Sequence, residues 1–471
     1  MVRRFGMSAL VGTLLAFAAQ GAEVLRTLPS EIEIYRNADE YMMAHTAAGS
    51  FSGVVLIARG GEAIFAKGYG FANAEWRTPN EIKTKFRLGS ITKQFTATLV
   101  MQLQQQDKLS VQDSICKYLE PCPDAWTPVT IHHLLSHTSG IPSYTADASY
   151  PTDMVLPKTP EEIVASFRDK PLDFAPGEDF SYSNSGYFLL GVILEKVTGA
   201  PYEQVLKEQI LSPLGMHDSG YDRHSTVLAN RASGYRRDDD EGLANAEYLD
   251  MSWPYSAGSM YSTVADLMKW DQALYGDAVL PQSVLEQMWT PQTTAQEQQY
   301  GYGWLIARPS EMTADRSPVY HGGGINGFRT VIMRYREDQT TVVVLSNLMS
   351  TPVPAIARDL SAIAFGEEYS LPKQRIVADI PKALYDEYAG KYELRPDFVF
   401  TITREGDRLF VQPTGQGKSE IFPESETEFF SKIVDAQITF VKGESGEVTQ
   451  LVLHQNGQDM VGKKVGEERG G

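Results

Sequence analysis

Cysteine is nearly absent from this chain: 471 residues contain two, Cys116 and Cys122. That excludes a small fold stapled by many disulfides and any metal cluster held by cysteines alone. Positive charge is short as well. Lys and Arg number 42 against 60 Asp and Glu, a net charge of −18, and no basic block interrupts the deficit. Neutralising a phosphate backbone takes clustered cations, so a nucleic-acid partner is not expected, and the acidic balance serves solubility. There is no internal repeat, no low-complexity tract, no His-Glu-x-x-His zinc signature and no Gly-x-Ser-x-Gly elbow.

What is present begins at the N-terminus. Arg3 and Arg4 precede an apolar run from Met7 to Ala19, with small residues around Gln20. This order reads as a secretory signal over residues 1–21, with Ala22 as the mature start. The run is too short for a mature anchor, which takes about 20 apolar residues. The chain is therefore expected in the periplasm or outside the cell, with no integral membrane span after signal removal. In an oxidising compartment the local pair in "SICKYLEPCPDAW" is expected to close a Cys116–Cys122 disulfide. A metal or redox pair would need Cys-x-x-Cys spacing or a second ligand set.

At 471 residues, 42% of them hydrophobic, the chain can build two or three domains with full cores. "SGVVLIARGGEAIFAKGYGFAN" alternates on either side of Gly60 and Gly61, a hairpin pattern. Residues 111–275 read mostly as helix and loop; "GYFLLGVILEKVTGAPYEQVLKEQIL" breaks at Gly199 and Pro201, and Thr263 and Asp266 open "STVADLMKWDQAL" at capping-box spacing. Strands return at "YGYGWLI", "FRTVIMRYRED" and "TTVVVLSN", the last with a continuous apolar run, as in a sheet covered on both faces. Strands at both ends with helices between predict one α/β unit over residues 22–370. A polar, proline-punctuated linker follows over 371–384. Residues 385–471 alternate in short strands, with turns at Gly406, Gly443 to Gly446 and Asn456-Gly457, and predict a small all-β domain, barrel or sandwich.

The chemistry starts at "KFRLGSITKQFTATLV", residues 85–100. From Phe95 on, apolar residues go round most of the helix, so the helix is buried, and Lys93 lies one turn from Ser90 on the same face. An ammonium buried without partners costs several kcal/mol, so Lys93 needs a reason. A serine hydroxyl attacks only when a base takes its proton, and a lysine kept neutral by burial can be that base. Further along, "DFSYSNSGYFLL" supplies Tyr182 and Asn184 before a buried helix, and "YHGGGINGFRT" supplies His321, Gly323 and Gly324 on a strand. Taken alone, Tyr182 and Asn184 read as a helix-entry turn. His132, His133 and His137 lack further metal ligands and read as structural.

In that order, Ser90-x-x-Lys93, Tyr182-x-Asn184 and His321-x-Gly323, joined by "HLLSHTSGIP", "YGYGW" and "AGSMYSTVADL", resemble the serine β-lactamase and penicillin-binding-protein superfamily, in its class C-like branch, over residues 35–365. The resemblance implies a β-lactamase-like α/β fold, an antiparallel sheet flanked by helices plus an all-helical region; the C-terminal stretch is similar to a lipocalin-like domain appended to some members, expected to cap or shape the cleft or else to serve as a passive stability module. It implies Ser90 as the acylated nucleophile, Lys93 as its partner, Tyr182 as general base or proton shuttle, and Asn184 as a contact of Lys93 and the substrate amide. His321 and Gly323 would line the strand edge that holds substrate, and the N–H groups of Ser90, at the helix start, and of Gly324, which follows the box, would bind substrate as the oxyanion hole. No metal or cofactor is implied; the partner is a small-molecule or peptide substrate, and the oligomeric state is not fixed.

The implied activity is an exported serine hydrolase acting through an acyl-enzyme on amides or esters, a peptidase of D-amino-acid or carboxypeptidase type or an esterase. Class C β-lactamase activity is the alternative, as is a non-catalytic penicillin-binding receptor for peptidoglycan fragments. Two electrostatic expectations accompany it. An ammonium about 4 Å from Tyr182 would favour the phenolate by about 4 kcal/mol at an effective dielectric of 20 and draw its pKa toward neutrality. At position 321, where relatives with β-lactamase activity carry lysine, a largely neutral histidine would hold carboxylates weakly, so His321→Lys should improve carboxylate-bearing substrates.

Overall fold

Residues 28–465 are described in a computed structural model, except 239–241, 294–298, 309–315, 373–374, 433, 435, 444 and 456–457. The expected signal segment and the Asn456-Gly457 turn lie outside them. The sheet starts where the alternating pattern predicted: β1 (Gly53–Arg59) and β2 (Glu62–Tyr69) are joined through Gly60 and Gly61, both at positive φ. The remaining strands come from the far end of the unit: β3 (Leu305–Ile306), β4 (Val319–Ile325), β5 (Phe328–Tyr335) and β6 (Thr340–Ser346), giving the antiparallel order β3-β4-β5-β6-β1-β2. β6 pairs with β1 in a single register from Gly53 opposite Ser346 to Arg59 opposite Thr340. The whole of β6 is buried because both faces are covered. Leu56, Ile332, Val343 and Leu345 join the core of the helical region. Val55, Ile57, Val342 and Val344 pack with Ile34 of α1 (Glu31–Ala47) and Leu360 of α6 (Val353–Phe365) on the other face. Each such side chain contributes about 1.5–3 kcal/mol.

The helical region is built round α2 (Thr92–Gln105), whose residues from Thr92 to Met101 are all buried, charged Lys93 included. Beside it run α3 (Ile131–Leu135), α4 (Asn184–Thr198), closed by Gly199 at φ +70°, and α5 (Val264–Ala273), capped by the Thr263 side chain on the Asp266 N–H. Phe95 of α2 stacks on Trp270 of α5 at 4.3 Å. "YGYGWLI" is mostly not strand. Gly303 turns at φ +78°, where a Cβ would fall 2.7 Å from the Lys93 carbonyl oxygen, and Tyr300, Tyr302 and Trp304 are buried. Cys116 and Cys122 form a disulfide with 5.4 Å between their α-carbons.

The C-terminal residues close into an eight-stranded barrel from Gly390–Arg395 to Gln458–Val465, each strand paired to the next and the last to the first. Closure leaves no open edge, and Tyr388, Phe400, Leu409, Phe429 and Leu451 fill a core of its own. Among the described residues no helix is long and apolar enough to cross a membrane.

Candidate active site

Ser90 occupies a single 3-10 turn, Gly89–Ile91, that leads into α2. The turn is tight because Gly89 has φ +56°, and a Cβ there would lie 3.0 Å from the Gly324 nitrogen. Glycine at 89 therefore lets β4 lie directly against the nucleophile's turn. One position earlier in β4 the approach is closer still: a Cβ on Gly323 would fall 1.9 Å from the Leu88 carbonyl oxygen, which already accepts a 2.7 Å hydrogen bond from Thr330 Oγ1.

Lys93 Nζ lies 3.2 Å from Ser90 Oγ, 2.8 Å from Asn184 Oδ1 and 2.9 Å from the Ala257 carbonyl oxygen. The valences fit both protonation states. A neutral amine donates its two N–H groups to the two carbonyl oxygens and offers its lone pair to the serine hydroxyl; after taking the serine proton it donates to all three. Complete burial brings the Lys93 pKa down to about 7. The Ala257 carbonyl reaches Lys93 because the segment around it docks along α2, where Thr96 Oγ1 donates to the Ser256 carbonyl at 2.6 Å and the Met260 N–H donates to Thr92 Oγ1 at 3.2 Å.

Asn184 is no helix cap. The cap position is Ser183, and the Asn184 amide turns inward, Oδ1 to Lys93 and Nδ2 donating to Thr145 Oγ1 at 3.1 Å. Tyr182, two residues earlier, hydrogen-bonds Ser90, and its ring centroid is 4.9 Å from Lys93 Nζ. Its pKa moves opposite to expectation: crowding by the surrounding protein pushes the phenol up, with the Ser90 hydrogen bond only partly opposing. The expectation assumed a full positive charge beside the ring, whereas burial has already taken much of that charge from Lys93. Tyr182 keeps 38% of its surface open to solvent, which tempers the upward push without reversing it.

His321 departs further from expectation. It is 3% exposed, with Nδ1 2.6 Å from the Gly322 carbonyl oxygen and Nε2 3.0 Å from the Tyr300 hydroxyl. The carbonyl can only accept, so Nδ1 carries the proton and Nε2 accepts from Tyr300. Burial, then the nearby Lys93, lowers its pKa to about 3. His321 is thus neutral and buried beside Tyr300 and Tyr182, whose ring centroids lie 5.8 and 6.2 Å from its own, and it offers no charge to a carboxylate. Within the protein its ring is linked to Tyr300. Gly323 is likewise buried and serves close packing, while Gly324 is exposed. Sequence reasoning missed Tyr300 and the Ala257 carbonyl: a main-chain oxygen leaves no mark in residue type, and Tyr300 meets His321 only through the fold.

Comparison with known proteins follows this geometry. The family model described as Beta-lactamase matches residues 37–365, and one described as Domain of unknown function (DUF3471) matches 374–464. A penicillin-binding protein of Bacillus subtilis (strain 168) is 30% identical over 431 residues, covering 87% of this chain and 94% of that one. The solved octameric penicillin-binding protein homologue from Pyrococcus abyssi superposes with a TM-score of 0.65 at 28% identity, over 91% of this chain and 99% of that one. The D-amino acid amidase from Ochrobactrum anthropi SV3, solved with L-phenylalanine, gives 0.62 at 26% identity, over 70% and 98%.

Proposed function

We propose, from the premise that this chain belongs to the β-lactamase family of serine hydrolases, that it is an exported peptidase or amidase acting on D-amino-acid amide or D-alanyl peptide bonds, with simple esters also accepted. One observation carries the reading: an amine with a pKa near 7 stands 3.2 Å from Ser90 Oγ, its other hydrogens held by two carbonyl oxygens. In this mechanism Lys93 takes the Ser90 proton as Oγ attacks the substrate carbonyl. The main-chain N–H groups of Ser90 and Gly324 receive the developing oxyanion, each worth about 3 kcal/mol in the transition state. Tyr182, un-ionised at neutral pH, relays a proton to the leaving amine or alcohol. Water then repeats the sequence on the acyl-enzyme.

The substrate class is supported by the amidase likeness and by His321, whose burial removes the cation that a penicillin carboxylate would meet at that position. The paired arginines and apolar run ahead of Ala22 support export. The deciding experiment treats purified protein with a fluorophosphonate and a fluorescent penicillin, follows intact mass, and ranks D-alanyl peptides, D-amino-acid amides, p-nitrophenyl esters and nitrocefin by kcat/KM. A Ser90 adduct with turnover of amides or esters is expected. An inert Ser90, or nitrocefin ahead by orders of magnitude, would overturn the reading.

A further inference from the structure

The "HLLSHTSGIP" stretch has no role in the mechanism above, yet it frames the Tyr182 segment. The Ser183 Oγ donates to the Ile141 carbonyl at 2.8 Å, the Asn184 N–H donates to Ser143 Oγ at 3.1 Å, and Ser185 Oγ donates to the Pro142 carbonyl at 2.7 Å. His137 differs from the other members of this frame because it holds both neighbours of Tyr182. Its carbonyl oxygen accepts the Ser181 N–H at 3.0 Å, and its Nδ1 accepts the Ser183 N–H at 3.1 Å. Its ring lies against Tyr182, 4.3 Å between centroids and 37° between planes.

The backbone of His137 shows that the side chain is wanted there. It follows α3 at φ +59°, the left-handed position where a helix end ordinarily carries glycine. A histidine in that conformation is strained, and such strain persists where the surroundings hold it. The ring is 1% exposed, and its Nε2 has no hydrogen-bond partner among the described residues. Because Nδ1 accepts from a backbone N–H it carries no proton, so the proton sits on Nε2 and the ring is neutral. Burial, and after it the charge that Lys93 can carry, holds its pKa well below the ordinary histidine value.

We propose that His137 is a positioning residue for Tyr182: a neutral imidazole whose Nδ1 and carbonyl oxygen pin the two flanking amides while its ring supports the phenol, fixing the tyrosine hydroxyl against Ser90. This rests on the reading of Tyr182 as a proton relay. Two consequences follow. Glycine at 137 should keep the left-handed turn, and even relax it, while releasing Tyr182. Asparagine tolerates the turn and carries an amide oxygen that can accept the Ser183 N–H, so it should retain part of the function.

The test measures p-nitrophenyl acetate turnover, the fluorophosphonate labelling rate of Ser90 and the melting temperature for wild type, His137→Gly, His137→Asn, Tyr182→Phe and His137→Gly/Tyr182→Phe. Expected are a loss of kcat of about tenfold or more in His137→Gly with KM and melting temperature little changed, an intermediate kcat in His137→Asn, and no further loss of labelling rate when His137→Gly is added to Tyr182→Phe. Wild-type kcat in His137→Gly, or the same fractional loss in the presence and absence of the Tyr182 hydroxyl, would overturn the positioning role. If His137→Gly does not fold, His137→Asn in the two backgrounds decides by the same non-additivity. Full activity of Tyr182→Phe would instead sink the relay reading itself, so the two failures are told apart.

Discussion

Lys93 is the residue whose chemistry was most open to sequence and whose cost only the structure reveals. Its pKa falls from 10.5 unfolded to about 7 folded, so between those values the unfolded chain binds the extra proton. Stability therefore rises with pH from 7 toward 10, and the full cost, roughly 5 kcal/mol at 1.36 per pH unit, is present below 7. Lys93→Met should accordingly melt at a higher temperature than wild type at pH 6, with the gain shrinking by pH 9, and should not label with fluorophosphonate. Equal melting temperatures at pH 6 would mean that the amine is not desolvated. The same pKa sets activity: kcat/KM for a neutral ester should climb tenfold per pH unit below 7 and level off above it, without an alkaline fall below pH 10, because burial holds the Tyr182 proton on. At His321, lysine would replace a neutral ring by an ammonium at a site 3% exposed, with the Tyr300 hydroxyl as its neighbour. His321→Lys should lower the melting temperature and leave the penicillin-to-ester ratio of kcat/KM where it was. A selective gain on penicillin would show that position 321 reaches the cleft after all.

Elements place these groups by close contact of backbones. The Ser90 turn, β4 and the Ala257 segment meet at glycines, and Gly89 is the sharpest case, with φ +56° and the Gly324 nitrogen 3.0 Å from where a side chain would start. Gly89→Ala should add about 1–2 kcal/mol of left-handed strain and shift β4 away from the nucleophile. The expected signature is a fall of kcat/KM of about tenfold or more, as for a displaced oxyanion donor, exceeding what the modest drop in thermal stability explains. Hairpin β1–β2, the apolar run Val342–Leu345 of β6 and the Gly199 stop of α4 were legible because each rests on local pattern: alternation, a continuous apolar run, a left-handed cap. The extended reading of "YGYGWLI" erred because its aromatics are buried by tertiary packing against α2 and α3, which no period encodes.

The whole molecule is two cores in one α/β unit and a third, separate core in the barrel. Where they meet, a cavity of about 640 Å³ is lined by His45 of α1, Arg358 and Asp359 of α6, Leu371 and Arg375 after it, and Lys432 and His454 of the barrel, with none of Ser90, Lys93, Tyr182 or Asn184 among its lining. That seam lies on the α1–α6 face of the sheet, opposite the helical region that carries Ser90, so among the described residues this cavity gives the expected cleft-shaping role of the barrel no support. A chain ending at residue 371 should stay folded and keep its ester kinetics; a changed substrate ranking in that truncation would restore the cleft role. The sequence by itself determined the class of chemistry, because a buried lysine one turn from a serine, followed in order by the tyrosine-asparagine and glycine-strand elements, is a pattern of residue types along the chain. Only the tertiary structure decided how the protons are arranged. Which amine is stripped of water, which histidine is turned inward and which carbonyl receives the lysine depend on what lies within a few ångströms from distant parts of the chain, and desolvation acts over that distance.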